Sequence, residues 1–157
     1  MQKTGLKRTI NSTNNICIIH KQNYMDIKAH LSNQPPERQN LLTNIHETII
    51  GNDKSVKAEV GSMMGKVMIV YKGKGMMKYA LSSVKNYMSL HAMPIYGSTV
   101  LHTKYKTLLP EANFQKGCIN FINESDMPLE IVKELIIDCS SIDLLKMKEE
   151  YLKSKKQ

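Results

Sequence analysis

Three observations predict an α+β fold in which helices flank an antiparallel sheet. Apolar residues recur at helical spacing in residues 36–51 and again in 129–152, whereas residues 56–91 alternate apolar and polar side chains with period two. Gly61, Gly65, Gly73 and Gly75 break the alternating stretch into hairpin-sized pieces. N-terminal helices, an antiparallel β-meander and C-terminal helices, in that order, pack the helices on one face of the sheet. At 157 residues with 41% apolar side chains, the chain has material for one hydrophobic core and not two.

Residues 1–22 are rich in Asn, Thr, Ser and Lys without either period and are read as an N-terminal extension, with Ile16, Ile18 and Ile19 as the residues able to dock. A single domain is expected over residues 23–145. Its first helix starts at Asn23, carries Met25, Ile27 and Leu31, and ends at Ser32-Asn33-Gln34-Pro35-Pro36. Pro36 suits the first turn of the next helix, where a backbone N–H would have no partner in any case. Leu41, Leu42, Ile45 and Ile49 form that helix's apolar face, and Gly51 is its predicted stop.

In the meander, Val67, Ile69 and Tyr71 take one side of a strand and Lys66, Met68 and Lys72 the other, before a hairpin turn at Lys72-Gly73-Lys74-Gly75. The next strand sets Met77, Tyr79 and Leu81 inward against Met76, Lys78 and Ala80. A third alternates Val84, Asn86, Met88 and Leu90 with Lys85, Tyr87, Ser89 and His91. Pro94 and Gly97 open an irregular stretch, Thr103 to Leu109 is a short helix, and Gly117 to Ile122 is the last strand. After Pro128, Leu129, Val132 and Ile136 share one helix face and Ile131, Leu135 and Cys139 another, coverage wide enough for burial. Ser141 is expected to cap a final helix, of which residues 146–157 are the basic end.

The net charge of +8 is segmental. Residues 54–116 hold ten lysines against Glu59 and Glu111, and residues 117–145 hold Lys133 against six carboxylates. The strands are therefore positive and the following helix acidic. No stretch approaches the roughly 20 apolar residues of a membrane-spanning helix, and Met1 to Leu6 leads into no apolar segment of the kind a secretory signal needs. Cys17, Cys118 and Cys139 form neither a disulfide framework nor a CxxC knot, so a cytoplasmic location is expected.

Several short elements run in a recognisable order. They are Gly65-Lys66, Tyr79-Ala80-Leu81, the stretch from Val84 to His91, Lys104-Tyr105-Lys106 with Leu108-Leu109-Pro110, Lys116 to Phe121, and Met127-Pro128-Leu129. Over Pro36 to Leu145 this order resembles the YdhG-like family of small domains, distantly similar to frataxin in fold, with Val60-Gly61-Ser62-Met63-Met64 in place of the family's Trp/Gly-x-Pro element. The resemblance implies an intracellular binding domain, with iron binding or delivery as its named form and iron as the implied cofactor.

Hard iron ions favour clustered carboxylates, and Glu130, Glu134 and Asp138 line one helix face at successive i, i+4 spacing. A solvated face is the plainer reading of the same three residues. The other candidate surface is the outward set Lys66, Lys72, Lys78, Lys85, Tyr87 and His91, which would attract an anionic ligand or nucleic acid. Lysine on strands also discourages edge aggregation, a structural reason for the same residues. Seven methionines lie between Met63 and Met93, either lining an adaptable surface or filling core gaps. Cys17 and His20 offer two soft-metal ligands where a site needs about four. Cys118 with His91 suggests a thiol and a base, without a third group to orient them. No catalytic constellation stands out, so no enzymatic activity is expected.

Overall fold

The computed structural model describes residues 26–156, so the N-terminal extension, with Cys17 and His20, lies outside the described residues. The chain forms α1 (residues 26–32), α2 (Pro36–Asn52), β1 (Lys57–Met63), β2 (Lys66–Gly73), β3 (Met76–Ser83), β4 (Met88–Ala92), α3 (Met93–Gly97), α4 (Thr99–Leu108), β5 (Asn113–Gln115), β6 (Cys118–Phe121), α5 (Leu129–Ser140) and α6 (Leu144–Ser154). The strands make one antiparallel sheet in the order β1-β2-β3-β4-β6-β5. Among the described residues, no helix is long and apolar enough to cross a membrane.

The predicted α+β layering is present. Leu41, Leu42, Ile45 and Ile49 of α2 and Val132, Leu135, Ile136 and Cys139 of α5 bury against Ile69, Tyr71, Tyr79, Leu81, Met88, Leu90, Ile119 and Phe121 of the sheet. Pro36 opens α2 as expected, but Gly51 lies inside its last turn. The helix stops at Asp53, whose extended backbone leaves the helix while its carboxylate accepts from the backbone N–H of Ser55 at 3.0 Å. Tight turns with left-handed backbone at Met64-Gly65 and Lys74-Gly75 close the first two hairpins, the glycines supplying φ of 74° and 76° at no steric cost.

Further expectations are corrected. The third strand starts at Met88, because residues 84–87 form a turn in which the Val84 N–H donates to Tyr87 O at 2.9 Å. Arg38 of α2 clamps that turn by donating to Val84 O at 2.5 Å, Ser83 Oγ at 3.0 Å and Lys85 O at 3.1 Å. Residues 93–97 are helical, and α4 begins at Thr99 behind the Ser98 cap. The edge strand β5 has no counterpart in the sequence reading. Asp143, and not Ser141, caps α6, its Oδ1 accepting from Leu145 N at 3.0 Å and Lys146 N at 3.2 Å.

The largest correction concerns Lys78. Tyr71 pairs with Tyr79 but Lys72 pairs with Met77, so Lys78 is the extra residue of a β-bulge. Beyond the bulge the alternation reverses. Met77 packs with the strand residues Met68, Val70 and Ala80 instead of facing the helices, and Lys78 turns inward. Its Nζ lies 2.8 Å from Asp53 Oδ2 and donates to Ser140 O at 3.2 Å, while the Tyr79 hydroxyl donates to the same Asp53 oxygen at 2.8 Å. Burial would raise the Asp53 carboxyl, but hydrogen bonds from Lys78, Ser55 and Tyr79 outweigh it and hold the group below its ordinary range.

Candidate functional site: the second face of the sheet

Cross-strand partners share a face, so the register lists what lies opposite the helices. One transverse row runs Glu59, Val70, Ala80, His91, Cys118 and Gln115; its neighbour includes Ser82, Ser89, Asn120 and Asn113. Lys57 and Lys72 pair at one end of this face and Lys66 stands at the other, opposite Met63. Met68, Val70 and Ala80 form its small apolar centre, packed by Met63 and Met77, and no described helix residue joins that cluster. The methionines thus serve here as core filling at the junction of an apolar and a polar zone.

The polar zone is hydrogen-bonded across three strands. Cys118 Sγ lies 2.9 Å from His91 Nδ1, and His91 Nε2 is 3.4 Å from Ser82 Oγ. With the thiol donating to Nδ1, the Nε2–H is left to donate to the serine, which supplies the orienting group that spacing alone did not reveal. Ser89 donates its hydroxyl to Asn120 Oδ1 at 2.5 Å. Burial raises the Cys118 thiol above its ordinary value, and burial together with the nearby Lys66 charge lowers the His91 imidazole. Both shifts favour neutral partners, so the proton rests on sulfur and the pair is a hydrogen-bonding element in preference to an activated thiolate.

Of the six predicted lysine-face residues, Lys66, Lys72 and His91 share this face. Lys72 is ion-paired with Glu59, Lys78 is inside the protein, and Lys85 and Tyr87 sit in the turn held by Arg38. Nothing in the sequence pattern marks Ser82, Ser89 and Asn120 as site residues. The alternation had set Ser89 beside His91, but the adjacency of Asn120 comes from the pairing of β4 with β6 across 31 residues of sequence.

The acidic face of α5 is differently employed. Lys104 Nζ bridges Glu134 Oε1 at 2.8 Å and Asp138 Oδ2 at 2.7 Å, and the Tyr105 hydroxyl donates to Asp138 Oδ2 at 2.6 Å. The Lys104 ammonium, through its hydrogen bond, holds Asp138 below the usual carboxylate range. Glu130 takes no part in this network and is exposed. Among the described residues, no group of three or more His, Cys, Asp or Glu side chains is gathered as a metal ion would require. No family model, no curated protein and no solved structure matches the chain.

Proposed function

We propose that the chain is a non-catalytic binding domain that recognises an anionic, hydrogen-bonding partner through the second face of its sheet. The observation that carries this reading is the pair of polar rows, His91-Cys118 and Ser82-Ser89-Asn120, at the middle of a sheet whose other face, Lys78 and Ser83 aside, is apolar along the same strands. The half-buried imidazole of His91, thiol of Cys118 and carboxamide of Asn120 offer donors and acceptors for a polar ligand, and the buried hydroxyls of Ser82 and Ser89 hydrogen-bond to His91 and Asn120 beside them. Lys57, Lys66 and Lys72 on the same face, against Glu59 alone, supply the positive potential that draws in phosphate or carboxylate groups. Iron delivery, the activity implied by the YdhG-like resemblance, draws no comparable support, because Glu134 and Asp138 are engaged by Lys104.

Titrating a single-stranded oligonucleotide at increasing salt tests the electrostatic part. Log affinity should fall with log salt by about 0.7 per phosphate neutralised, and Lys66→Gln should lower the slope by roughly one such contact. A flat dependence would sink the reading.

A further inference from the structure

We propose a second ligand site, for a small anion with an apolar body, in the cavity between the β2–β3 hairpin and the turn that joins α5 to α6. The cavity measures about 230 Å³, below the roughly 300–1,000 Å³ of drug-sized pockets, so its occupant is small. Lys78 lines it from the inside and Lys74 from the rim, while Ile142, Leu144 and Leu145 supply an apolar wall.

The lining carries Lys74 and Lys78 against one carboxylate, Asp143, and each lysine is already ion-paired, so an anion enters by sharing these ammonium groups and not by meeting an unpaired charge. Lys78 is neutralised from behind by Asp53, which does not line the cavity; its bonds to Asp53 and Ser140 O are short, but its third contact, to Ser55 Oγ, is long at 3.5 Å. That third ammonium hydrogen is the one an incoming oxygen can capture. Lys74 is 67% exposed and bridges to Asp143 Oδ2 at 2.5 Å. Asp143 also caps α6 through its other oxygen, so it remains anchored when Lys74 swings to share its charge with a ligand. Exposed pairs of this kind are weak and exchange readily. A carboxylate or phosphoryl oxygen between the two lysines, with its hydrocarbon against Leu144 and Leu145, uses each feature of the cavity. A bare ion would leave the leucines idle.

Hexanoate, acetate and inorganic phosphate, titrated into the full-length protein and followed by amide NMR, test the site. Hexanoate should shift Gly73, Ile142 and Leu145 saturably, and bind at least about tenfold more tightly than acetate because of its added methylenes. Lys74→Gln, a surface change that leaves the buried pair intact, should weaken hexanoate several-fold. Equal affinity for acetate and hexanoate, tighter binding of phosphate than of hexanoate, or no saturable shift up to about 20 mM would each overturn the proposal. So would unaltered hexanoate binding by Lys74→Gln. Because Ser82, His91 and Cys118 lie on the sheet's second face, their amides should stay still, which separates this site from the proposed partner surface.

Discussion

The two faces of the sheet are built from the same four central strands yet solve opposite problems. On the helix-packed face, Ile69, Tyr71, Tyr79, Leu81, Leu90 and Phe121 are almost completely buried, and the polar atoms admitted there are tied off: His46 of α2 to the Tyr71 hydroxyl at 2.9 Å, Asp53 to Tyr79 and Lys78. On the other face, three apolar side chains give way within one strand spacing to serines, an asparagine, a histidine and a thiol bonded to one another. The first arrangement maximises the cost of any change. The second buries a smaller apolar cluster, Met68, Val70 and Ala80, and leaves directional groups at positions where a core would have placed leucine. Position relative to the helices, and not residue type alone, decides what a charge is worth in this protein.

Lysine offers the sharpest way to break that comparison. Lys78 and Lys66 both belong to strands, but the bulge delivers Lys78 to the helix side, where it is 4% exposed in an ion pair whose partner is 1% exposed. Lys78→Met leaves the Asp53 carboxylate buried without its cation and should cost about 3–5 kcal/mol in urea unfolding. Lys66→Met, on the second face, should stay within about 0.5 kcal/mol. Equal losses would mean that the bulge does not turn Lys78 inward.

Neighbouring residues of β4 sharpen the contrast at the next scale. Leu90 is fully buried on the helix side and Ser89 points the other way to Asn120. Leu90→Ala should cost about 2–5 kcal/mol through lost transfer energy and a residual cavity. Ser89→Ala removes one hydrogen bond and should cost roughly 1 kcal/mol. Chemical denaturation of the two variants decides whether the faces differ energetically as they do chemically.

The helix side was the more legible of the two in the sequence. Helical spacing at Leu41, Leu42, Ile45 and Ile49 and at Val132, Leu135, Ile136 and Cys139 marks the covering layer directly, because a buried stripe must repeat every 3.6 residues. Strict period two cannot register the single inserted residue of a bulge, so on β3 the alternation assigns Met77 and Lys78 to the wrong faces, while Lys72 on β2 keeps its side. The strand β5 contributes only Phe114 to the packing, too short a signal to detect. The contact of Cys118 with His91 depends on a strand pairing across 27 residues, and the turn at residues 84–87 on an arginine some 45 residues earlier. Local patterns define faces, whereas sites assemble from register, which is non-local.

Protonation gives the smallest and most diagnostic effect. Burial lowers the pKa of His46 on the helix side below its ordinary 6.5, and burial with the Lys66 charge does the same to His91 on the second face. A base whose folded pKa lies below its unfolded value stabilises the fold fully above the unfolded value, and that contribution is lost as pH falls through the window beneath 6.5. Both residues should therefore make the urea midpoint decline on acidification below about pH 6.5, and His46→Gln and His91→Gln should each flatten part of that decline. The two part company when an anionic partner is added. Negative charge laid over the second face favours the imidazolium, so the His91 titration followed by NMR should move up while His46, behind the sheet, keeps its midpoint. An equal displacement of both would mean that the partner reshapes the whole fold; no displacement of His91 would remove the second face as the place where such a partner binds.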